Sequence, residues 1–372
     1  MGRGGKDTAQ TAGNRGSGVD ARKLIWGYIL LLTLACAGAV IIVGVIMKMA
    51  ASPRFAGDFT VFWAAAKAPI ADVYNWSALE RSQVDAIGKV GPFAYPPTTL
   101  LLLKPFGLLP FPMALGSWVV ISSILFLAAA RTLIGWRELA LAILSPAIVI
   151  AVATGQTSLI VGALILGGLT APGAVMRGAM IGIAAAIKPQ MVFLFPVAFI
   201  AARDWRALGS AFAAGALAVG ATLLLWGVQP WFDWLASLPQ FTEVLRQTGI
   251  GIRSVTPASL AMQAGLETPV MLVGLVLGAV LVWKVFRTSL EPLDRVAALC
   301  LGGLLGLPYA LSYDMTALIV AITPMLLNRS GTIISWAGAG MIFSTTLSQV
   351  GVVLASIDIF RRHWKAKMRE AP

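Results

Sequence analysis

The chain has 372 residues, of which 58% are hydrophobic and only 12% charged, with a mean hydropathy of +0.84. No soluble domain of this size reads that way, which leaves an all-α polytopic membrane protein as the fold class. The net charge of +12 then reflects Lys and Arg on cytoplasmic loops, not a nucleic-acid surface, and no nucleic-acid partner is expected.

Residues 1–23, rich in Gly, Ser, Thr and Arg, predict a disordered cytoplasmic tail. The first apolar segment, about 24–47, is too long for a typical signal-peptide core and reads as an uncleaved span. Arg3, Lys6, Arg15, Arg22 and Lys23 before it place the N-terminus inside and the following loop, about 48–94, outside. That loop has mixed charge and four aromatics between positions 55 and 63, which suits interfacial helices. Tyr95-Pro96-Pro97 predicts a broken or re-entrant segment. A full span follows at about 113–131, then two short apolar runs, 138–153 and 157–171, joined by the polar turn Thr154-Gly155-Gln156-Thr157-Ser158. Lys188-Pro189-Gln190 interrupts the next run, 178–201.

A span at about 207–227 leads to a second outer loop, 228–267, in which Trp231, Trp234, Leu235 and Leu238 recur at helical spacing. Spans at about 269–286 and 294–310 precede Ser312-Tyr313-Asp314, another outward-facing break. The apolar stretch 331–358 reads either as one tilted helix or as a hairpin turning near Thr345-Thr346. The hairpin keeps the basic tail, 359–372, inside and is preferred. The expected total is roughly 10 to 13 spanning or re-entrant helices in a single domain, 24–358. Cys36 and Cys300 lie in apolar runs and read as small buried hydrophobes, and His363 is the single histidine. No metal site and no cofactor is expected.

This topology places Asp58, Tyr95, Gln156, Lys188, Arg246, Arg253 and Asp314 on one outer face. Each residue alone has an ordinary structural explanation, as a helix cap, a snorkelling cation or a solvated loop charge. Together they describe a cavity at the membrane boundary with an acidic centre and several cations. Asp58 stands out because acidic residues are scarce, 16 in the whole chain. Such a cavity suits a phosphate-bearing lipid and a hydroxylated acceptor: Lys and Arg bind the phosphate, and a carboxylate takes the proton of the attacking hydroxyl. No Gly-rich nucleotide loop and no Asp-x-Asp pair is present.

Gly57-Asp58-Phe59, Phe93-Ala94-Tyr95-Pro96-Pro97, Gly155-Gln156, Ala185-Ala186-Ile187-Lys188-Pro189 and Tyr313-Asp314 occur in an order that resembles the bacterial integral-membrane glycosyltransferases of family 87. The family includes polyprenyl-phosphate-mannose-dependent mannosyltransferases, and the likeness covers roughly residues 50–330. It implies a GT-C architecture in the bacterial inner membrane and a periplasm-facing active site. It also implies a polyprenyl-phosphate sugar donor, a lipid or cell-envelope glycan acceptor, and inversion at the anomeric carbon. Asp58 maps onto the family's catalytic base. Lys188, Arg253 and Arg246 are assigned to the donor phosphate, and Tyr95, Gln156, Tyr313 and Asp314 to the substrate pocket. The residue at position 312, serine here, is one at which relatives are expected to differ. Two rivals are a secondary transporter, against which the lack of an internal repeat counts, and a non-enzymatic envelope-assembly subunit.

Overall fold

The computed structural model describes residues 57–84, 91–247, 253–327, 332–345 and 347–369. The tail 1–23, the apolar segment 24–47 with Cys36, and the side chain of Arg246 lie outside the described residues. Among the described residues every regular element is helical. In chain order α1 (Gly57–Lys67), α2 (Trp76–Val84) and α3 (Pro97–Leu103) precede the first long helix, α4 (Phe111–Arg131). Then come α5 (Trp136–Ile143), α6 (Pro146–Thr154), α7 (Ser158–Thr170), α8 (Ala174–Ile187), α9 (Phe195–Ala201) and the long α10 (Trp205–Trp226). After α11 (Gln229–Gln247) and α12 (Pro257–Leu260) the chain continues through α13 (Glu267–Thr288), α14 (Pro292–Leu305), α15 (Thr316–Leu327), α16 (Ile333–Phe343) and α17 (Ser348–Arg369).

Among the described residues only α4, α10 and α13, at 21, 22 and 22 residues, are single helices long and apolar enough to cross a membrane. At 1.5 Å per residue each spans about 32 Å, the thickness of a hydrocarbon core. Val120, Ile124, Leu217, Leu224, Val276 and Leu277 on these helices are exposed, as lipid-facing side chains are. The expected 10 to 13 spanning or re-entrant helices are thus largely broken ones. The α5–α6 pair is bent by 62° at Ser145-Pro146, and α7, α8 and α16 are short apolar helices. Proline causes several of these breaks, because it lacks the N–H that an uninterrupted helix needs. The short helices lie inside: α7, α14 and the first two turns of α15 are buried almost throughout and form the core.

Small residues set how closely the helices pack. A Cβ on Gly182 would lie 2.2 Å from the carbonyl oxygen of Ala211, so α8 and α10 touch backbone to backbone. Arg177 of α8 closes the same pair with two bonds to Asp204 Oδ2, at 3.1 and 2.8 Å, while Asp204 Oδ1 caps α10 by accepting from the Ala207 N–H. Towards the C-terminus α16 and α17 form a hairpin that turns after Phe343, and the segment expected to be a basic tail from 359 continues as helix to Arg369. His363 on that helix meets Asp294 Oδ2 at 3.0 Å and Thr288 Oγ1 at 3.3 Å, tying α17 to the junction of α13 and α14. Cys300 is buried in α14.

Two matched substitutions test the close packing. Gly209→Ala, on an open face of α10, should hold or raise the melting temperature of the detergent-solubilised protein, because alanine is the better helix former by about 1 kcal/mol. Gly182→Ala should lower it, with overpacking costing about 1–3 kcal/mol.

Candidate active site

The site is assembled where four helix breaks converge. The first is the turn between α6 and α7. Gly155 ends α6 at φ 65°, and a Cβ there would strike the Phe59 side chain at 2.7 Å. Glycine is therefore required twice over, for the left-handed backbone and for the approach of α1. That approach brings Gln156, buried, against Asp58 in the first turn of α1: the Gln156 carboxamide nitrogen donates to Asp58 Oδ2 at 2.5 Å. Asp58 thus opens a helix in the outer loop, where interfacial helices were expected, and is half-buried. Behind it α1 is wedged by aromatics, Phe59 against Phe111 and Trp118, and Phe62 against Tyr95 and Trp118. Its far end is held by the Lys104 ammonium, which donates to the Ala68 carbonyl at 2.8 Å, and by the Trp63 indole, which donates to the Leu109 carbonyl at 3.0 Å.

The second break is the end of α8. A helix leaves its last carbonyls without partners, and Pro189 supplies no N–H to relieve them. Thr98 and Thr99, in the first turn of α3, donate their hydroxyls to the carbonyls of Ala186 and Ile187, the latter at 3.0 Å. Docking α3 there carries Tyr95 to the site. The Tyr95 carbonyl accepts from the Tyr74 hydroxyl at 2.9 Å, and the neighbouring Ala94 carbonyl accepts from the Trp234 indole at 3.1 Å. The Tyr95 hydroxyl donates to Gln156 Oε1 at 3.5 Å and accepts from Thr157 at 3.0 Å.

The same break releases Lys188, which is 6% exposed. Its ammonium forms an ion pair with Asp314 Oδ1 and lies over the rings of Tyr95, at 5.5 Å, and Tyr313, at 5.4 Å. Asp314 also accepts from the Ser158 hydroxyl at 3.1 Å and, through Oδ2, from the Leu311 N–H at 3.0 Å. Thr316 fixes the neighbouring elements by donating to the Ser158 carbonyl at 2.9 Å. A fully dressed ion pair thus forms the floor of the site, with Asp58 beside it.

The two carboxylates differ in kind. Asp314 has both oxygens engaged and a cation in contact. Burial raises the pKa of Asp58 above the ordinary carboxylate value. The Gln156 hydrogen bond and the positive charge of Lys188 oppose that rise, and the negative charge of Asp314 adds to it. A half-exposed carboxyl so tuned can accept a proton, whereas Asp314 is committed to Lys188.

Of the eight residues proposed from sequence, Asp58, Tyr95, Gln156, Lys188, Tyr313 and Asp314 are brought into one connected cluster. Lys188, assigned from sequence to a donor phosphate, has its charge matched by Asp314. Arg253 is exposed, in the segment before α12 that packs on residues 308–310. Arg246 lies in α11, with its side chain outside the described residues. Sequence reasoning missed Thr98, Thr99, Thr157 and Ser158. All four are hydroxyl residues within a turn of a predicted helix break, the signal that would have found them.

The sequence profile of glycosyltransferase family 87 matches residues 93–311, more than half of the chain. The match includes Tyr95, Gln156, Lys188 and Arg253, and ends before Tyr313 and Asp314. Asp58 precedes it. No curated protein and no solved structure matches the chain.

The ion pair should behave as a coupled unit. Lys188→Met or Asp314→Leu alone leaves a buried charge unpaired and should cost about 3–5 kcal/mol of stability in an unfolding titration. The double variant should cost clearly less than the sum of the two.

Proposed function

Since the chain belongs to glycosyltransferase family 87, and is therefore a membrane glycosyltransferase, we propose that it transfers a hexose, mannose first among candidates, from a polyprenyl-phosphate donor to an acceptor hydroxyl, with Asp58 as the general base. The acceptor is a lipid or a cell-envelope glycan, and the reaction takes place on the periplasmic face of the bacterial inner membrane, the side given by the loop charges. The observation that carries this reading is the pairing of a half-buried Asp58, held by Gln156, with a separate and fully compensated Lys188–Asp314 floor.

In this mechanism the acceptor hydroxyl attacks the anomeric carbon from the face opposite the phosphate. The new carbon–oxygen bond forms as the bond to the phosphate oxygen breaks, which inverts the centre. The hydroxyl proton passes to the Asp58 carboxylate, and the bonding pair leaves with the lipid phosphate. Gln156 keeps one carboxylate oxygen fixed, which directs the other toward the hydroxyl. Lys188 supplies positive potential beneath the sugar, shared with Asp314, while Arg253 and Arg246 are the cations for the departing phosphate. Tyr95 and Tyr313, flanking Lys188, present ring surface and hydroxyls to the sugar.

Asp58→Asn preserves shape but removes the base. Turnover of labelled polyprenyl-phosphate mannose with total membrane lipid should fall by roughly two to four orders of magnitude while donor binding persists. Undiminished transfer by this variant would remove Asp58 from the role.

The pH profile gives a second test. Only the ionised carboxylate accepts a proton, so activity is lost as pH falls through the Asp58 pKa. Because that pKa is raised, the acid limb of kcat/KM should lie above the ordinary carboxylate range. Gln156→Leu removes a hydrogen bond that favours the charged form, so the limb should move to still higher pH.

A further inference from the structure

The end of the helical framework away from the active site carries a patch that the proposed reaction does not use. α17 starts near the site, where the Gln349 carboxamide donates to the Ser254 carbonyl in the segment packed on residues 308–310. At 1.5 Å per residue, Trp364 lies about 24 Å further along this helix, most of the thickness of a hydrocarbon core. α13 packs against α17 and ends at the same level. The Lys284 ammonium of α13 lies over the Trp364 ring at 5.0 Å, and Thr288 Oγ1 meets His363 Nδ1 at 3.3 Å. The loop charges make this the cytoplasmic side.

Both helices present an exposed apolar stripe that stops at this level. On α17 it is Val350, Val353 and Ile357, at helical spacing, and on α13 it is Val276 and Val280. Each stripe ends in an exposed tryptophan, Trp364 and Trp283, the residue enriched where hydrocarbon gives way to headgroups. Cations stand beside each indole: Lys284 and Arg287 after Trp283, and Arg361 one turn before Trp364. Arg287 and Arg361 are exposed and Lys284 is half-buried. Among the described residues none of the three has a carboxylate partner. The acidic groups nearby are otherwise engaged: Asp294 pairs with His363 and Arg362, and Asp358 with Arg362. Arg295 donates to the Ser289 carbonyl at 2.9 Å. Glu291, the cap residue of α14, is the one remaining carboxylate at this corner and leaves the three cations in excess. α17 then runs on through Lys365, Lys367 and Arg369, with charge of the same sign.

We propose that this edge of α13 and α17 is a binding site for an anionic phospholipid. Lys284, Arg287 and Arg361 take the acidic headgroup, Trp283 and Trp364 hold it at the membrane boundary, and the acyl chains lie along the two apolar stripes. Charge complementarity selects the lipid class. A zwitterionic headgroup brings its own ammonium against three cations, whereas an anionic one brings only negative charge. The stripes distinguish a lipid from a soluble anion, because a free phosphate gains nothing from them.

The test is native mass spectrometry of the full-length protein in detergent, titrated with phosphatidylglycerol and with phosphatidylcholine of the same acyl chains. The wild type should bind the first phosphatidylglycerol about 10-fold or more tighter than phosphatidylcholine. Lys284→Gln, Arg287→Gln and Arg361→Gln should each weaken phosphatidylglycerol by about 5-fold and leave phosphatidylcholine unchanged. Arg361→Lys, which keeps the charge, should retain most of the preference. Arg206→Gln, an exposed cation at the start of α10, should behave as wild type. Glycerol 1-phosphate, the headgroup chemistry without chains, should not displace the lipid. Equal affinity of the wild type for the two lipids would overturn the site, as would glutamine variants that keep the full preference. A loss in Arg206→Gln as large as in the three would show diffuse surface charge and overturn it too. Loss in Arg361→Lys equal to that in Arg361→Gln would mean disturbed packing, and displacement by glycerol 1-phosphate would mean a soluble-anion site; either result would contradict the proposal.

Discussion

The Lys188–Asp314 ion pair is the constraint on which the rest of the site depends. Two charges taken out of water lose several kcal/mol each unless their remaining hydrogen-bonding capacity is filled. Here it is filled from four directions: Ser158 at the start of α7, the Leu311 N–H before α15, and the rings of Tyr95 and Tyr313. The partners come from three breaks in the helical framework, at the start of α7, before α3 and before α15. The pair can therefore form only when the ends of α7 and α8, the approach to α3 and the turn into α15 are all in register. In a protein whose helices are largely apolar, dispersion and small-residue contacts bring helices together with little directional preference. A buried ion pair with this many dependents adds the direction.

That arrangement also divides labour between the two acidic residues. Asp314, with its oxygens occupied, stabilises Lys188 and shapes the floor. Asp58 is set apart from it by Gln156, which donates to Asp58 while its oxygen accepts from Tyr95. Gln156 thus links the Asp58 carboxylate to the floor through a neutral group. In the proposed mechanism, proton transfer to Asp58 would change a charge next to an ion pair without breaking it. The cost of that change is moderated because the nearest other carboxylate is already compensated.

Much of this was legible in the sequence because charge is costly in an apolar chain. Asp58, Lys188 and Asp314 stood out through scarcity, and Gly155-Gln156 and Lys188-Pro189 through the helix breaks they mark. The all-helical membrane architecture followed from composition, and family membership from the ordered motifs. Pairing was not legible. Nothing local in Ala185–Pro189 says that Lys188 will meet a carboxylate 126 positions later and so lose its free charge. Thr98 and Thr99 look like ordinary residues of an apolar run until the orphan carbonyls of α8 give them a purpose. Which of the 10 to 13 spanning or re-entrant helices are broken was not legible for a related reason: hydropathy reports that a segment is buried in an apolar setting, not whether it crosses in one piece.

A structure of the Asp58→Asn variant, determined by cryo-electron microscopy with intact polyprenyl-phosphate mannose, tests the central claim most directly. With the base removed, the donor should survive in the site. Its anomeric carbon should face the side chain at position 58 across the Lys188–Asp314 floor, with the phosphate on the far side from that residue and the prenyl chain leading out to the bilayer. A donor whose phosphate rests against position 58, or whose sugar lies away from the Gln156–Lys188–Asp314 cluster, would contradict Asp58 as the base and the cluster as the active site.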